Sequence, residues 1–177
     1  QASDQVGLGP QAVNVIRNCG QANEVRSAPE MVDFAAAAPG FFVFASFGGA
    51  DGANPIAALH GGGPDVVAPN GLFAGATPAA PGDFVSLFAT GLGAFAEPLA
   101  AGEIPNRTVN LAATARVTIG GIELPAEDIF YVGAAPCCAG LYQLVVKVPE
   151  TLGPGNHEVI VTIDGVSSPP GPFVPVE

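Results

Sequence analysis

Glycine and proline interrupt this sequence so often that most helical folds are excluded. The 177 residues contain 24 Gly and 18 Pro, and nearly every window of about eleven residues holds one of these helix breakers. Between the breaks, apolar residues recur with a period of two. In "GLYQLVVKVP" (140–149), Tyr142, Leu144 and Val146 share one face while Gln143 and Lys147 lie on the other. Such alternation is typical of half-buried β-strands.

Five further segments show strand-like patterns of the same kind and end at turn dipeptides. They are residues 40–47, 82–91, 113–121, 127–133 and 156–165. The dipeptides Pro81-Gly82, Gly120-Gly121 and Asp164-Gly165 separate strands, and Asp-Gly is a strong signal for a tight hairpin. Many short strands without intervening helices predict an antiparallel β-sandwich or barrel.

The two ends of the chain both have the pattern strand, turn, strand. This pattern covers residues 13–35, with an Asn/Gly turn, and residues 159–177, with an Asp-Gly turn and a proline break. Only the second hairpin has the rest of a sandwich before it. Because an isolated two-stranded hairpin is marginal in water, we expect the first to dock on the chain's own sheet or on another subunit.

The composition excludes several classes of partner. The formal charge is −11, from 16 acidic and 5 basic residues, so the chain would repel nucleic acid and anionic membranes. No apolar run reaches the roughly 20 residues that cross a bilayer, so no membrane span is expected. The first residues lack the basic and apolar regions of a signal peptide, so a secreted form of the chain would be one whose signal peptide has been removed. Charged residues are only 12% of the chain, which favours a surface that is covered by partners.

From about Phe34 onward the sequence resembles a known family. The segments "PGDFVSLFATGLG", "GLYQLVVKVP" and "VTIDGVSS" are similar to uncharacterised modules at the C-termini of secreted and surface-attached bacterial proteins. Those modules resemble immunoglobulin-like sandwiches of the IPT/TIG kind, often in tandem. The resemblance covers roughly four fifths of the chain, and it implies no catalytic residues.

The resemblance implies a fold, a division of the chain and a location. The expected fold is all-β, an immunoglobulin-like antiparallel β-sandwich at residues 36–177 with an N-terminal β-hairpin or strand extension at residues 1–35. In tandem relatives the segment before "AAAAPG" is the last hairpin of the preceding module. The rest of such a module is missing here, so residues 1–35 become a candidate donor segment. The implied location is extracellular, at a bacterial surface.

Two glycine-rich motifs resemble catalytic or cofactor signatures. "HGGG" at 60–63 resembles the oxyanion loop of some lipases, but no Ser has the Gly-x-Ser-x-Gly setting that such enzymes need. "GLGAFA" at 91–96 resembles a dinucleotide fingerprint, but Pro98 and Gly102 oppose the long helix that should follow it. We therefore predict no enzyme activity, no catalytic residues and no cofactor.

Residue spacing also bears on metal binding and on glycosylation. His60 and His157 have no partner ligands at zinc spacing. Asp51 and Asp65 lie in flexible turns of the kind that calcium accepts, but the alternating acidic pattern of a calcium loop is absent, so no metal site is predicted. Asn106 begins the triplet "NRT", a candidate glycosylation site.

Three cysteines leave at least one thiol without a partner in the chain. A bond between Cys137 and Cys138 would join Cα atoms about 3.8 Å apart, below the usual span of roughly 4.4–6.8 Å. A bond from Cys19 to either one would close a loop of roughly 120 residues, worth on the order of 5 kcal/mol. We expect the bond from Cys19, within one chain or between two, with three buried free thiols and, last, a strained Cys137–Cys138 bridge as the alternatives.

Two functional hypotheses follow. The first is a structural subunit of an extracellular filament or surface assembly, a homopolymer in which the N-terminal segment adds strands to a neighbouring copy. The second is a monomeric adhesion or glycan-binding module with surface glycans as partners. The absence of Trp and the presence of only two Tyr count against the second, because aromatic rings usually stack on sugars.

Overall fold

The computed structural model of the chain describes residues 7–44, 53–100 and 102–177, which divide into two compact units. The smaller unit is Ala2–Ala36 and the larger is Ala37–Glu177. This division lies beside the boundary at residue 35 that the sequence suggested. The described residues form strands and one 3-10 turn, Ala126–Asp128, which confirms the all-β prediction.

The smaller unit is one long, interrupted β-hairpin. Its outer ladder pairs β1 (Gly9–Val13) with β4 (Glu30–Phe34), and its inner ladder pairs β2 (Ile16–Arg17) with β3 (Val25–Arg26). The hairpin begins at Gly9, four residues before the predicted start at Val13. No residue from 7 to 36 is buried.

Among its described residues, the larger unit contains ten strands arranged in two antiparallel five-stranded sheets. The strands are β5 (Gly40–Phe41), β6 (Ala58–His60), β7 (Phe84–Thr90), β8 (Ala115–Ile119), β9 (Ile122–Glu123), β10 (Ile129–Ala134), β11 (Tyr142–Lys147), β12 (Gly155–Ile163), β13 (Val166–Ser167) and β14 (Phe173–Val176). One sheet has the order β10-β11-β7-β5, with β6 also on β7. The other has the order β13-β12-β8-β9, with β14 also on β12.

The inward faces of the two sheets share one core. Leu87 and Leu144 from the first sheet pack with Val117, Val161 and other residues of the second, and all four of these side chains are fully buried. Alternation produces this arrangement, because every second residue of β11 and β12 faces inward. The larger unit is therefore a β-sandwich with its own hydrophobic core, and its immunoglobulin-like identity stays a prediction.

Two of the predicted turns have the backbone geometry that their residues favour. Gly120 and Gly121 both have positive φ angles, of 59° and 79°, and connect β8 to β9. Asp164 and Gly165 have φ angles of 48° and 86° and connect β12 to β13. Positive φ at both central residues gives the twist that a two-residue hairpin requires, so these hairpin predictions are confirmed.

Two predicted strands differ in their bounds. The segment 40–47 is a strand only at Gly40–Phe41, followed by a bridge from Val43 to Ile56, and residues 45–47 lie outside the described residues. The segment 127–133 begins as a strand only at Ile129, because Ala126–Asp128 forms the 3-10 turn after Pro125. In the second segment the two residues outside the strand, Glu127 and Asp128, are acidic and belong to that turn.

Candidate functional site

The hairpin unit exposes apolar side chains along both of its long strands and beside them. We call this set the hairpin surface: Leu8, Val13, Val15, Val25, Met31 and Val32. In β1 and β4, Gln11 lies opposite Val32 and Ala12 lies opposite Met31. Neighbouring residues in a strand face opposite sides, so Val32 and Met31 place apolar groups on both faces of the ladder.

The hairpin also has two open edges. Within the described residues, β1 pairs only with β4 and the sheet has two strands. The outward main-chain groups of both strands therefore have no strand beside them. Open edges combined with two apolar faces characterise a sheet fragment that still requires covering layers and further strands.

The tip of the hairpin is a hydrogen-bonded turn that contains Cys19. The Gly20 amide donates to Glu24 Oε2 at 2.8 Å, and the Gln21 amide donates to the Asn18 carbonyl at 3.0 Å. The Gly20 hydrogen bond and, second, the Arg26 side chain hold the pKa of Glu24 below its ordinary value. Cys19 is exposed and its thiol is free.

The cysteine pairing differs from the bond expected within one chain, and a bond from Cys19 to a second chain stays a prediction. Cys137 and Cys138 form a disulfide with each other, with Cα atoms 3.8 Å apart, and Cys19 bonds neither within this chain. Their loop connects β10 to β11 through successive turns, with hydrogen bonds from the Cys138 amide to the Ala135 carbonyl and from the Ala135 amide to the Leu141 carbonyl. The turn brings the adjacent sulfurs together, whereas our expectation weighed the usual Cα separation and the entropy of loop closure. Cys137 and Cys138 are both exposed, so the alternative of three buried free thiols is also wrong.

A shallow cleft of about 240 Å³ lies on the sandwich, lined by His60, Gly61, Asp83 and Phe84. His60 Nε2 lies 3.1 Å from Thr77 Oγ1 and 3.3 Å from the Thr77 carbonyl oxygen. A carbonyl only accepts, so we assign the hydrogen to Nε2. The distance from His60 Nδ1 to Asp83 Oδ2 is 3.8 Å, which is too long for a hydrogen bond. This geometry orients the imidazole ring and does not prepare it to take a proton from the Thr77 hydroxyl.

An aromatic pair that the sequence analysis missed adjoins this cleft. The rings of Phe84 and Phe130 meet edge to face with centroids 4.7 Å apart, and both side chains are exposed. They come from β7 and β10, which have β11 between them. The 11 Phe in the composition were the available signal, but only the strand order shows which two of them meet.

The two glycine-rich motifs have structural explanations. In "HGGG", the Gly61 amide donates to the Phe84 carbonyl at 2.7 Å and the Gly63 amide donates to the His60 carbonyl at 3.0 Å. Both amides are therefore already hydrogen-bonded within the chain. In "GLGAFA", Gly91 follows β7 directly and Phe95 forms an antiparallel bridge with Leu111. The motif therefore leads into extended chain at the place where a dinucleotide site requires a helix.

The remaining predicted sites are separate from each other. Asn106 is exposed on a loop, so its glycosylation stays a prediction. Asp65 is also exposed, and Asp51 lies outside the described residues. The His157 ring is within 2.7 Å of the Gly153 carbonyl oxygen. Across residues 7–44, 53–100 and 102–177, no group of three His, Cys, Asp or Glu is arranged to hold a metal ion.

Comparisons with known proteins add no relative. Protein-family models, curated proteins and solved structures all give no match. Among the residues that the structure describes, no helix has the length and apolar character needed to cross a membrane. The functional proposals below therefore depend on the geometry of this chain and on the sequence resemblance.

Proposed function

We propose that this chain is a structural subunit of an extracellular filament or surface assembly. Its N-terminal hairpin joins a neighbouring copy by β-strand addition. The observation that carries the proposal is a hairpin with apolar side chains on both faces, two open edges and no buried residue. Strand addition supplies what this hairpin lacks, because main-chain hydrogen bonds complete the edges and a neighbour's core covers the apolar groups.

The sandwich offers partly open edges as acceptors. One edge of the first sheet is β10, and one edge of the second is β9. The edge of β10 is bonded at Val132 and Ala134, where the Leu111 amide donates to Val132 and the Ala134 amide donates to Val109. Beyond that point the outer edge at Ile129–Tyr131 has no strand beside it among the described residues. An added strand would extend the sheet there and would continue from one copy to the next.

Charge is divided unequally between the two units. Residues 7–36 contain Arg17 and Arg26, two of the five basic residues, and only three of the sixteen acidic ones. The larger unit contains most of the acidic residues. A hairpin near neutrality can approach the acidic sandwich of another copy with less repulsion than two sandwiches would experience, which favours a head-to-tail contact.

The disulfide supports an extracellular location. Disulfides form and persist in oxidising compartments and are rare in the cytosol, and the Cys137–Cys138 bond is exposed to solvent. The resemblance to modules of secreted and surface-attached bacterial proteins points in the same direction. Both observations agree with a subunit that assembles outside the cell.

Negative-stain microscopy and light scattering of the purified chain test this proposal. We expect filaments at high protein concentration and none after deletion of residues 1–36. The sandwich has its own core, so the deletion variant should unfold at the same urea concentration as the sandwich of the full chain. Discrete particles of the full chain, or continued polymerisation of the deletion variant, would contradict strand addition.

A matched pair of point variants separates the hairpin surface from general surface apolarity. Val32 and Val166 are exposed to a similar degree, 42% and 44%, in the hairpin and in the sandwich respectively. We expect Val32→Asp to prevent assembly, because it places a charge in the covered interface, and Val166→Asp to leave assembly intact. Equal effects of the two changes would mean that the hairpin surface is not the contact.

The cleft supports a second candidate function, a glycan-binding adhesion module. An exposed aromatic pair beside a shallow cleft with His60 and Asp83 provides a stacking surface and polar groups. Calorimetry with neutral oligosaccharides tests it. We expect Phe130→Ala to abolish binding and Phe42→Ala, at a similarly exposed ring (55% and 45%), to preserve it. Absence of binding by the unmodified chain would remove this candidate.

A further inference from the structure

We propose that Cys19 of one molecule exchanges with the Cys137–Cys138 disulfide of a second copy and links the two chains covalently. This inference rests on the proposed assembly and deepens it, because strand addition would bring the hairpin to a neighbour's sandwich. Its basis is that the chain contains both reactants of thiol–disulfide exchange, a free thiol and a disulfide, and that both are exposed.

The nucleophile lies where a donor segment would present it. Cys19 is in the turn between β2 and β3, at the far end of the hairpin from the sandwich boundary in sequence. Hydrogen bonds from the Gly20 amide to Glu24 and from Asn18 Nδ2 to the Asn23 carbonyl, at 2.8 and 3.3 Å, fix this turn. An ordered turn with an exposed thiol can reach a partner without first losing the conformational freedom of a flexible tail.

The electrophile is equally accessible. Cys137 and Cys138 are exposed in the loop between β10 and β11, and the sequence from Ile129 to Tyr142 contains no charged residue. The loop itself therefore adds no charge that would repel a second molecule of high negative charge. Exposed disulfides undergo thiol exchange more readily than buried ones, because a thiolate can approach the S–S bond along its axis.

The reaction balances without an external oxidant. The Cys19 thiolate attacks one sulfur of the pair, a new S–S bond forms between the chains, and the Cys137–Cys138 bond breaks. Its electron pair stays on the other sulfur, which leaves as a thiolate and takes up from solvent the proton that Cys19 released. One disulfide is consumed and one is formed, so neither oxidation nor reduction of the pair of molecules occurs.

The released thiol makes the exchange reversible and dependent on assembly. It stays next to the new bond and can attack it, which returns Cys19 to its free state. The covalent link therefore accumulates only where non-covalent contacts hold Cys19 at high effective concentration beside the loop. Dispersed monomers should keep the Cys137–Cys138 bond.

Non-reducing electrophoresis of assembled protein tests the proposal. The chain is assembled without oxygen, and free thiols are then blocked with N-ethylmaleimide. We expect a ladder of linked chains that collapses on reduction, and its loss in both Cys19→Ser and the double variant Cys137→Ser/Cys138→Ser. A linked dimer that persists in the double variant, where Cys19 is the one remaining cysteine, would mean Cys19-to-Cys19 oxidation and would overturn the exchange.

Tryptic mass spectrometry identifies the bond itself. Cleavage after Arg17, Arg26, Arg116 and Lys147 places Cys19 in one peptide and both Cys137 and Cys138 in another. The expected product joins these two peptides and has one blocked thiol on the second. Such a product confined to monomeric protein would show exchange within one chain and would contradict the proposal.

Microscopy of the same samples distinguishes failure of the exchange from failure of the assembly. Filaments with an intact Cys137–Cys138 bond would overturn the exchange and leave the assembly proposal standing. Linked chains without filaments would support the exchange and contradict the filament. Dispersed monomers without linked chains, at concentrations where assembly is expected, would overturn both.

Discussion

The hairpin of residues 9–34 and the sandwich of residues 37–177 are built from similar strand sequences, but only the sandwich has a core. In the sandwich, two sheets face each other and Leu144, Val117 and Val161 lose all their accessible surface. In the hairpin, Val13 and Val32 lie on paired strands and remain exposed. The difference shows that alternation of apolar and polar residues specifies a strand, whereas packing against a second sheet stabilises it.

Amide hydrogen exchange should show the largest difference between the two regions. In dispersed protein we expect the amides of β7 and β11 to exchange slower than those of β1 and β4 by on the order of 10³-fold or more, because core strands exchange only through extensive opening. In the assembled state the hairpin amides should become protected. Equal exchange rates for the amides of β1 and β11 in the monomer would contradict this difference between the hairpin and the sandwich.

Side-chain truncation should also separate the regions. Leu144→Ala removes a fully buried side chain and should lower the free energy of unfolding by about 2–5 kcal/mol. Met31→Ala, at a hairpin residue that is 62% exposed, should change it by about 0.5 kcal/mol or less. Urea denaturation of dispersed protein measures both. A large cost for Met31→Ala would show that the hairpin is already covered in the monomer.

A glycine substitution probes the close approach of chains in the sandwich. A Cβ added at Gly133 would collide with the Val109 carbonyl oxygen and the Tyr131 hydroxyl, so Gly133→Ala should cost about 1–3 kcal/mol. Gly153→Ala is the matched control, because nothing lies within 4 Å of its added Cβ, and the unfolding midpoint should hardly move. In the hairpin, Gly9 and Gly20 also have open space around them, as expected for a single layer. Equal unfolding midpoints for Gly133→Ala and Gly153→Ala would contradict close packing around Gly133.

The smallest expected effect concerns one carboxyl group in each region. The Arg116 side chain is the first cause that lowers the pKa of Glu123, whereas the Gly20 amide is the first cause for Glu24. Arg116→Gln should therefore return the pKa of Glu123 toward 4.5, and Arg26→Gln should leave that of Glu24 still lowered. Carbon-13 NMR titration of the carboxyl groups measures both.

The sign of the pH dependence follows from the direction of these shifts. A carboxyl whose folded pKa is lowered stabilises the fold above its unfolded pKa, and this contribution fades as the pH falls through the folded value. In Arg116→Gln, the free energy of unfolding should therefore fall less steeply as the pH decreases below about 4.5. A Glu24 pKa that returns to its ordinary value in Arg26→Gln would mean that the hairpin turn is not held by the Gly20 hydrogen bond.

The sequence predicts most strands because their cause is local. The alternation in β11 and β12 and the paired positive φ values at Asp164 and Gly165 depend only on neighbouring residues. The contact between Phe84 and Phe130 depends on the order β10-β11-β7, which no local pattern specifies. The His60 cleft was missed for the same reason, since Thr77 and Asp83 reach it from a distant loop and turn.

The cysteines show another limit of sequence reasoning. Loop-closure entropy favours a long-range bond from Cys19, but a disulfide also requires the two residues to meet in the folded chain. The loop between β10 and β11 brings Cys137 and Cys138 together through its turns. Entropy of the unfolded state alone was therefore a poor guide to the pairing.

The last strand, β14, has a consequence for biosynthesis. Phe173–Val176 is buried at every residue, pairs with β12, and forms bridges from Phe173 to Pro55 and from Val176 to Ala79. These partners are far apart along the chain, so the two sheets cannot be joined on this side until residue 176 has left the ribosome. The sandwich should therefore close only once β14 is free to pair with β12 and to meet Pro55 and Ala79.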